Sequence, residues 1–203
     1  DSDAISAAQL AALEGPGAVG KAKGDTTAAF AAAAQIVTAD YQVPYLAHAC
    51  LEPMNATVRI DADRAEVWVP TQAETDTVNA VAATLGLPPE NINVHSMFIG
   101  GGFGRRSYTD FAVQAAQIAQ AANVGPVKLI WSREEDVRHD HYRPAVTSRF
   151  KAALDANGVP LAWENQYVDK HEPAEAPHIP YGIANQQIHY ADSKDIICHY
   201  TNL

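Results

Sequence analysis

INVHSMFIGGGFGRRSYTDFAVQAAQIAQ, residues 92–120, sets the reading of the whole chain. Ile92 to Ile99 is rich in β-branched and aromatic residues and reads as a strand that ends at glycine. Beyond the loop, Phe111, Ala115, Ile118 and Ala122 recur at helical spacing, with Ser107 and Asp110 as a weak cap. Between them lie Gly100, Gly101, Gly102, Phe103 and Gly104. Strand, glycine loop and helix in that order turn backbone N–H groups and the positive end of a helix toward an anion. A glycine run alone is equally a tight turn or a close approach of backbone to a ligand. Glycines gathered around one aromatic residue favour close approach, without naming the ligand. The dinucleotide pattern GxGxxG fails, because the register from Gly102 runs Gly-Phe-Gly-Arg-Arg-Ser, and no Gly-Lys-Ser/Thr phosphate loop is present.

Working outward, TQAETDTVNAVAATLG (71–86) predicts a helix. Thr71 and Glu74 offer a capping box, Val78, Val81, Ala82 and Leu85 share a face, and Pro88–Pro89 stop it. ATVRI and AEVWV predict a hairpin closed by Asp61–Arg64, QIVTADY a strand from Ile36, and VKLIW a strand after Pro126. VTSRFKAALD and VPLAWENQYV flank Asn157–Gly158, a two-residue hairpin signal. Residues 1–35 read as an Ala/Gly-rich lead-in, with GPGAVGKAKGD as linker and AAFAAAA as a turn or two of helix. Residues 36–170 then form the domain, and residues 171–203 an extended proline-containing tail. The expected class is α/β in the α+β sense, a mixed sheet with packed helices.

Composition narrows the function. The 203 residues carry a formal charge of −10 with the basic residues scattered, so no nucleic-acid stripe is expected. No apolar run approaches the length of a membrane-spanning helix. Cys50 and Cys198 form no CxxC, which excludes a cysteine-built zinc or iron–sulfur site; one long-range disulfide stays open. The start at Asp1 and the uncapped end at Leu203 read as cuts within a longer protein.

His139-Asp140-His141 lacks a third ligand and reads as a solvated loop before a metal site. His171-Glu172 and His178 make no HExxH and read as surface. His48 and Glu52, four apart, are a conceivable acid–base pair, with structural hydrogen bonding the stronger reading. Arg105 and Arg106 are candidates for phosphate contacts or for ion pairs with neighbours such as Asp110. Trp131 reads as core, Arg133 and Glu134 as strand end and turn. No Ser-His-Asp arrangement can be argued.

The loop GGGFG, with Thr71–Gln72 before it and PVKLIWSREED after it, resembles the molybdenum-binding subunit of the xanthine oxidase/aldehyde oxidase family. GGGFGRR is similar to the isoquinoline 1-oxidoreductase beta-subunit branch. PYLAHACLEPMNATV (44–58) matches the family's HxxxEP region, and Val146–Val168 matches its hairpin. The likeness runs from about Ala34 to the C-terminus. It implies a molybdopterin cofactor, in its cytosine dinucleotide form, with the metal ligated by pterin sulfurs and solvent and not by side chains. Gln72 is then expected to point its amide at an oxo ligand. Phe103 and Gly104 would offer backbone N–H groups, Gly100, Gly101 and Gly102 would lie against the cofactor, and Arg105 would join the cofactor-binding set.

Where relatives that oxidise xanthine carry a purine-gripping glutamate, this chain has Ser107, so the resemblance implies an aldehyde or N-heteroaromatic substrate with water as oxygen source. It also implies iron–sulfur clusters on a partner subunit, an arginine-bearing loop beyond Tyr181–Asn185, and a catalytic glutamate beyond Leu203. On this reading no catalytic residue lies in the chain, and it is inactive alone. The alternative is an autonomous α/β domain that binds a nucleotide or phosphate through the glycine loop.

Overall fold

Alternation decides the central sheet: Ala56 and Val58 on one strand, and Ala65, Val67 and Val69 on the next, are buried while their neighbours are not. A computed structural model describes residues 1–169 and 179–192. In chain order the elements are α1 (Ser2–Ala12), β1 (Ala18–Lys23), α2 (Thr26–Ala31), β2 (Gln35–Val43), β3 (Asn55–Asp61), β4 (Arg64–Val69) and α3 (Glu74–Leu85). There follow β5 (Ile92–Ser96), α4 (Asp110–Ala122), β6 (Val127–Ile130), α5 (Arg133–Arg138), β7 (Val146–Leu154), β8 (Pro160–Asp169) and β9 (Asn185–Asp192). The class is the expected mixed α+β.

The chain divides into two compact units, one built from residues 1–46 with 143–203, the other from residues 47–142. The first holds a five-stranded sheet in the order β1-β9-β8-β7-β2. The β7–β8 hairpin forms as expected, but with a three-residue loop. Asp155 N–H donates to Val159 O at 3.0 Å, and Gly158 takes φ +79°. The stretch expected as a linker supplies β1, which pairs antiparallel with β9. Its mostly exposed Ala, Gly and Lys residues hid a strand whose stability comes from that distant pairing. The tail expected from residue 171 likewise contains β9, parallel to β8. Residues 170–178 and 193–203, including His171, Glu172, His178 and Cys198, lie outside the described residues.

The second unit holds a four-stranded sheet, β5-β4-β3-β6, with β4 and β5 parallel and the other pairs antiparallel. Helices α3 and α4 cover one face. Val58, Val67, Val69, Val81 and Phe111 are fully buried there, each worth about 1.5–3 kcal/mol of removal from water. α3 presents the expected face. In α4 the face is turned: Phe111, Ala112, Ala115, Ala116 and Ala119 are buried while Ile118 is 44% exposed. The alanine stripe, too weak in hydrophobicity to stand out in the sequence, is what packs into this core.

The caps also differ from expectation. Thr71 and Glu74 form no capping box. Thr71 Oγ1 accepts from Ala73 N–H, so α3 starts at Glu74 with no side-chain cap, and Gly86 closes it in the left-handed conformation. Neither Ser107 nor Asp110 caps α4, since Thr109 precedes it and the Asp110 carboxylate is taken by Arg105. Arg133 and Glu134 open helix α5 instead of forming a turn, with Ser132 Oγ accepting from Glu135 N–H.

Candidate functional site

β5 stops at Ser96, where Met97 N–H donates to Val69 O at 3.1 Å and the chain leaves the sheet. The loop then runs through three positive-φ positions, Gly101 (+96°), Phe103 (+54°) and Gly104 (+98°). Phe103 has a Cβ and belongs in that region only under constraint, at a cost of order 1–2 kcal/mol. Phe103 is 62% exposed, so the loop presents an aromatic residue to its surroundings instead of burying it. After Gly104 comes a 3₁₀ turn, Arg105–Ser107, and α4 begins only at Asp110. The positive end of α4 is therefore set back from the glycines, contrary to the strand–loop–helix expectation.

The loop and Gln72 meet. Gly104 N–H donates to Gln72 Oε1 at 3.1 Å, and Gln72 N–H donates to Arg106 O at 3.0 Å. A backbone N–H must face an oxygen, which fixes the orientation of the amide. The Gln72 NH₂ is thereby left with no acceptor among the described residues. A Cβ on Gly102 would stand 2.4 Å from Gln72 Oε1, and one on Gly100 would stand 2.5 Å from Glu52 Cβ. The glycines thus make room for two side chains of the same protein, Gln72 and Glu52, that lie against the loop.

Below the loop most polar groups are paired. Glu52 Oε2 accepts from Gly100 N–H (2.9 Å) and from Arg106 Nη2 (2.9 Å), and Glu52 N–H donates to Gly100 O at 3.1 Å. Cys50 Sγ donates to Gly102 O at 3.4 Å, and burial pushes that thiol up from its ordinary pKa. Arg105 is fully buried; its two terminal nitrogens donate to Asp110 Oδ1 and Oδ2 at 2.9 and 2.7 Å. Its Nε stands 3.0 Å from Asp140 Oδ1, an ion pair without hydrogen-bond alignment. The ion-pair reading of Arg105 is the one its side chain adopts.

His48 does not pair with Glu52. Its ring Nδ1 lies 3.0 Å from Asp140 Oδ1, and its N–H donates to the same carboxylate. Asp140 is buried, so the segment around it is not the expected solvated loop, and His141 stacks on Tyr108 with ring centroids 3.6 Å apart. Asp140 escaped the sequence reading because its partners, His48 and Arg105, lie 92 and 35 positions away and no local pattern marks it. Among the described residues no three His, Cys, Asp or Glu side chains gather as metal ligands.

Comparison with known proteins follows the same residues. The molybdopterin cofactor-binding domain family matches over residues 13–189. The chain is 39% identical, over 56% of its length, to the isoquinoline 1-oxidoreductase subunit beta of Brevundimonas diminuta. It is 28% identical, over 76% of its length, to the molybdenum-binding subunit of an aldehyde oxidoreductase from Escherichia coli. It spans only 14% and 21% of those relatives. The aldehyde oxidoreductase of Desulfovibrio gigas has a similar fold, with TM-score 0.63 and 23% identity over 84% of this chain and 20% of that one.

Proposed function

The chain belongs to the molybdopterin cofactor-binding domain family, and from that premise we propose that it serves a larger molybdenum hydroxylase acting on an aldehyde or N-heteroaromatic substrate. One observation carries the reading: the Gln72 amide is anchored by its oxygen on Gly104, which leaves its NH₂ without an acceptor among the described residues. A donor amide beside an exposed glycine loop suits an anionic, oxygen-rich group such as a metal held by its own pterin. When bound, the cofactor supplies the two-electron redox chemistry that inserts a water-derived oxygen at an electron-poor carbon.

In this reading Gln72 orients and holds one oxygen of the group through its NH₂. Gly100, Gly101, Gly102, Phe103 and Gly104 form the wall against which the group rests. Arg105 acts from beneath, keeping the loop end joined to Asp110. The cytosine dinucleotide form of the pterin and an iron–sulfur partner subunit that receives the electrons belong to the same proposal, as does a catalytic glutamate outside these residues. Ser107, where a purine would want a carboxylate, favours substrates other than xanthine. The nucleotide or phosphate alternative is weakened by the setback of α4 from the glycines, which removes the helix end from the would-be anion.

The test replaces Gln72 by Ala in the complete protein with its partner and measures turnover and molybdenum content. Turnover is expected to fall roughly 10²-fold, as for loss of a preorganised donor. Unchanged turnover rejects the role. Calorimetry with a nucleotide panel addresses the alternative, which requires binding that the hydroxylase reading does not.

A further inference from the structure

Arg106 touches every segment that builds the loop site. Its Nε donates to Gly101 O (2.7 Å), its Nη1 to Pro70 O (3.3 Å) and its Nη2 to Glu52 O (2.8 Å) and Glu52 Oε2 (2.9 Å). Its own carbonyl accepts from Gln72 N–H at 3.0 Å and from Thr71 Oγ1 at 3.2 Å. The side chain is wholly buried. Glu52, its one ionic partner at hydrogen-bond distance, is also the residue that grips Gly100 on both sides of the peptide. Three chain segments, around Glu52, around Pro70–Gln72 and at Gly100–Gly104, therefore converge on one guanidinium.

We propose that Arg106, held by Glu52, is a positioning residue that sets the spacing between the Gln72 amide and the glycine loop. Besides the direct Gly104–Gln72 bond, Arg106 links the two segments through its carbonyl on Gln72 N–H and its Nε on Gly101 O, whereas Arg105, its neighbour, turns the other way to Asp110 and Asp140. An arginine is required because the acceptors lie in three directions around a plane, which a planar fork satisfies and a single ammonium does not. A buried cation also demands its counter-ion, so Glu52 and Arg106 act as a pair. Burial lowers the Arg106 pKa and the Glu52 carboxylate opposes that shift. What the site binds rests on the proposed function; the clamp itself does not.

The experiment compares Arg106→Lys, Arg106→Met and Glu52→Gln with the wild type in the complete protein. Amide hydrogen exchange is followed at residues 100–104 and at β3, β4 and α4, together with molybdenum per protein and the separate values of kcat and KM. The clamp predicts that both arginine variants speed exchange in the loop about tenfold or more relative to the core elements, and that lysine gives no rescue. Glu52→Gln, which keeps size and an acceptor, should give a smaller increase confined to the loop. Where the wild type binds molybdenum, kcat should fall more than KM changes, because the donor is present but misplaced.

Unchanged loop exchange, or a rise shared equally by the core elements, overturns the clamp, as does full rescue by lysine. If Arg106→Met fails to fold, the other two variants decide by the same criterion. A wild type without molybdenum would reject the proposed function while leaving the exchange result to judge the clamp.

Discussion

At the scale of single residues, the glycine loop is shaped by what lies behind it. Gly102 faces the Gln72 amide so closely that a methyl group cannot be added without moving the amide. Gly102→Ala should therefore displace Gln72 and cost roughly 10²-fold in turnover of the complete enzyme, a figure typical of an ångström-scale misplacement. Gly125→Ala, where an added Cβ meets nothing within 4 Å, is the control and should leave turnover intact. Equal effects at both positions would refute the steric account. His141 offers a pH-dependent test. Burial lowers its pKa below the ordinary 6.5, outweighing Asp110, whose carboxylate lies 3.8 Å from Nε2. On acidification the unfolded chain takes the proton first, so the stability present above about pH 6.5 is lost as pH falls. His141→Phe keeps the stack on Tyr108 and should flatten that loss in urea titrations between about pH 7 and 5; an unchanged slope would count against it.

At the scale of elements, helix ends separate what local chemistry does from what packing does. Ser132 caps α5 by accepting from Glu135 N–H, and α5 carries Asp136, the ion-pair partner of Arg133. Ser132→Ala should cost about 1 kcal/mol in denaturant melts. Thr109→Ala, at the start of α4 where no side-chain cap bond exists, should cost much less. A reversal of that order would mean that the caps are misassigned. α4 can do without a cap because Phe111 and four alanines hold it on the sheet. Strong local patterns were legible: the β3–β4 hairpin and the α3 face form where alternation and 3.6-residue spacing pointed, and the β7–β8 hairpin forms around the Asn157–Gly158 turn signal. β1 was not, because Ala18–Lys23 is mostly exposed and owes its strand to β9.

At the scale of the molecule, one unit is a single uninterrupted segment, residues 47–142, set between the two segments of the other. Among the described residues its core, from Cys50 to Trp131, is drawn from that segment. Residues 47–142 expressed alone should therefore fold and melt cooperatively by circular dichroism. A non-cooperative melt would show that the enclosing segments are needed. The candidate site lies wholly in this unit, since Glu52, Gln72, the 100–104 loop, Arg105 and Arg106 all belong to it.

What the sequence by itself determined is the class of element at each strongly patterned stretch and the family likeness, which in turn implies a role for Gln72 with Gly100–Gly104. The elements are legible because periodicity is a local property of the chain, and the likeness because its motifs are short and contiguous. Only the tertiary structure decided what the glycines clear space for, that Glu52 and Asp140 join the expected Asp110 as partners of the two buried arginines, and that Asp140 belongs with His48. Those partners lie up to 92 positions apart, and no local rule links residues at that separation. The fold brings them together because a buried charge or N–H must find a partner wherever the chain supplies one.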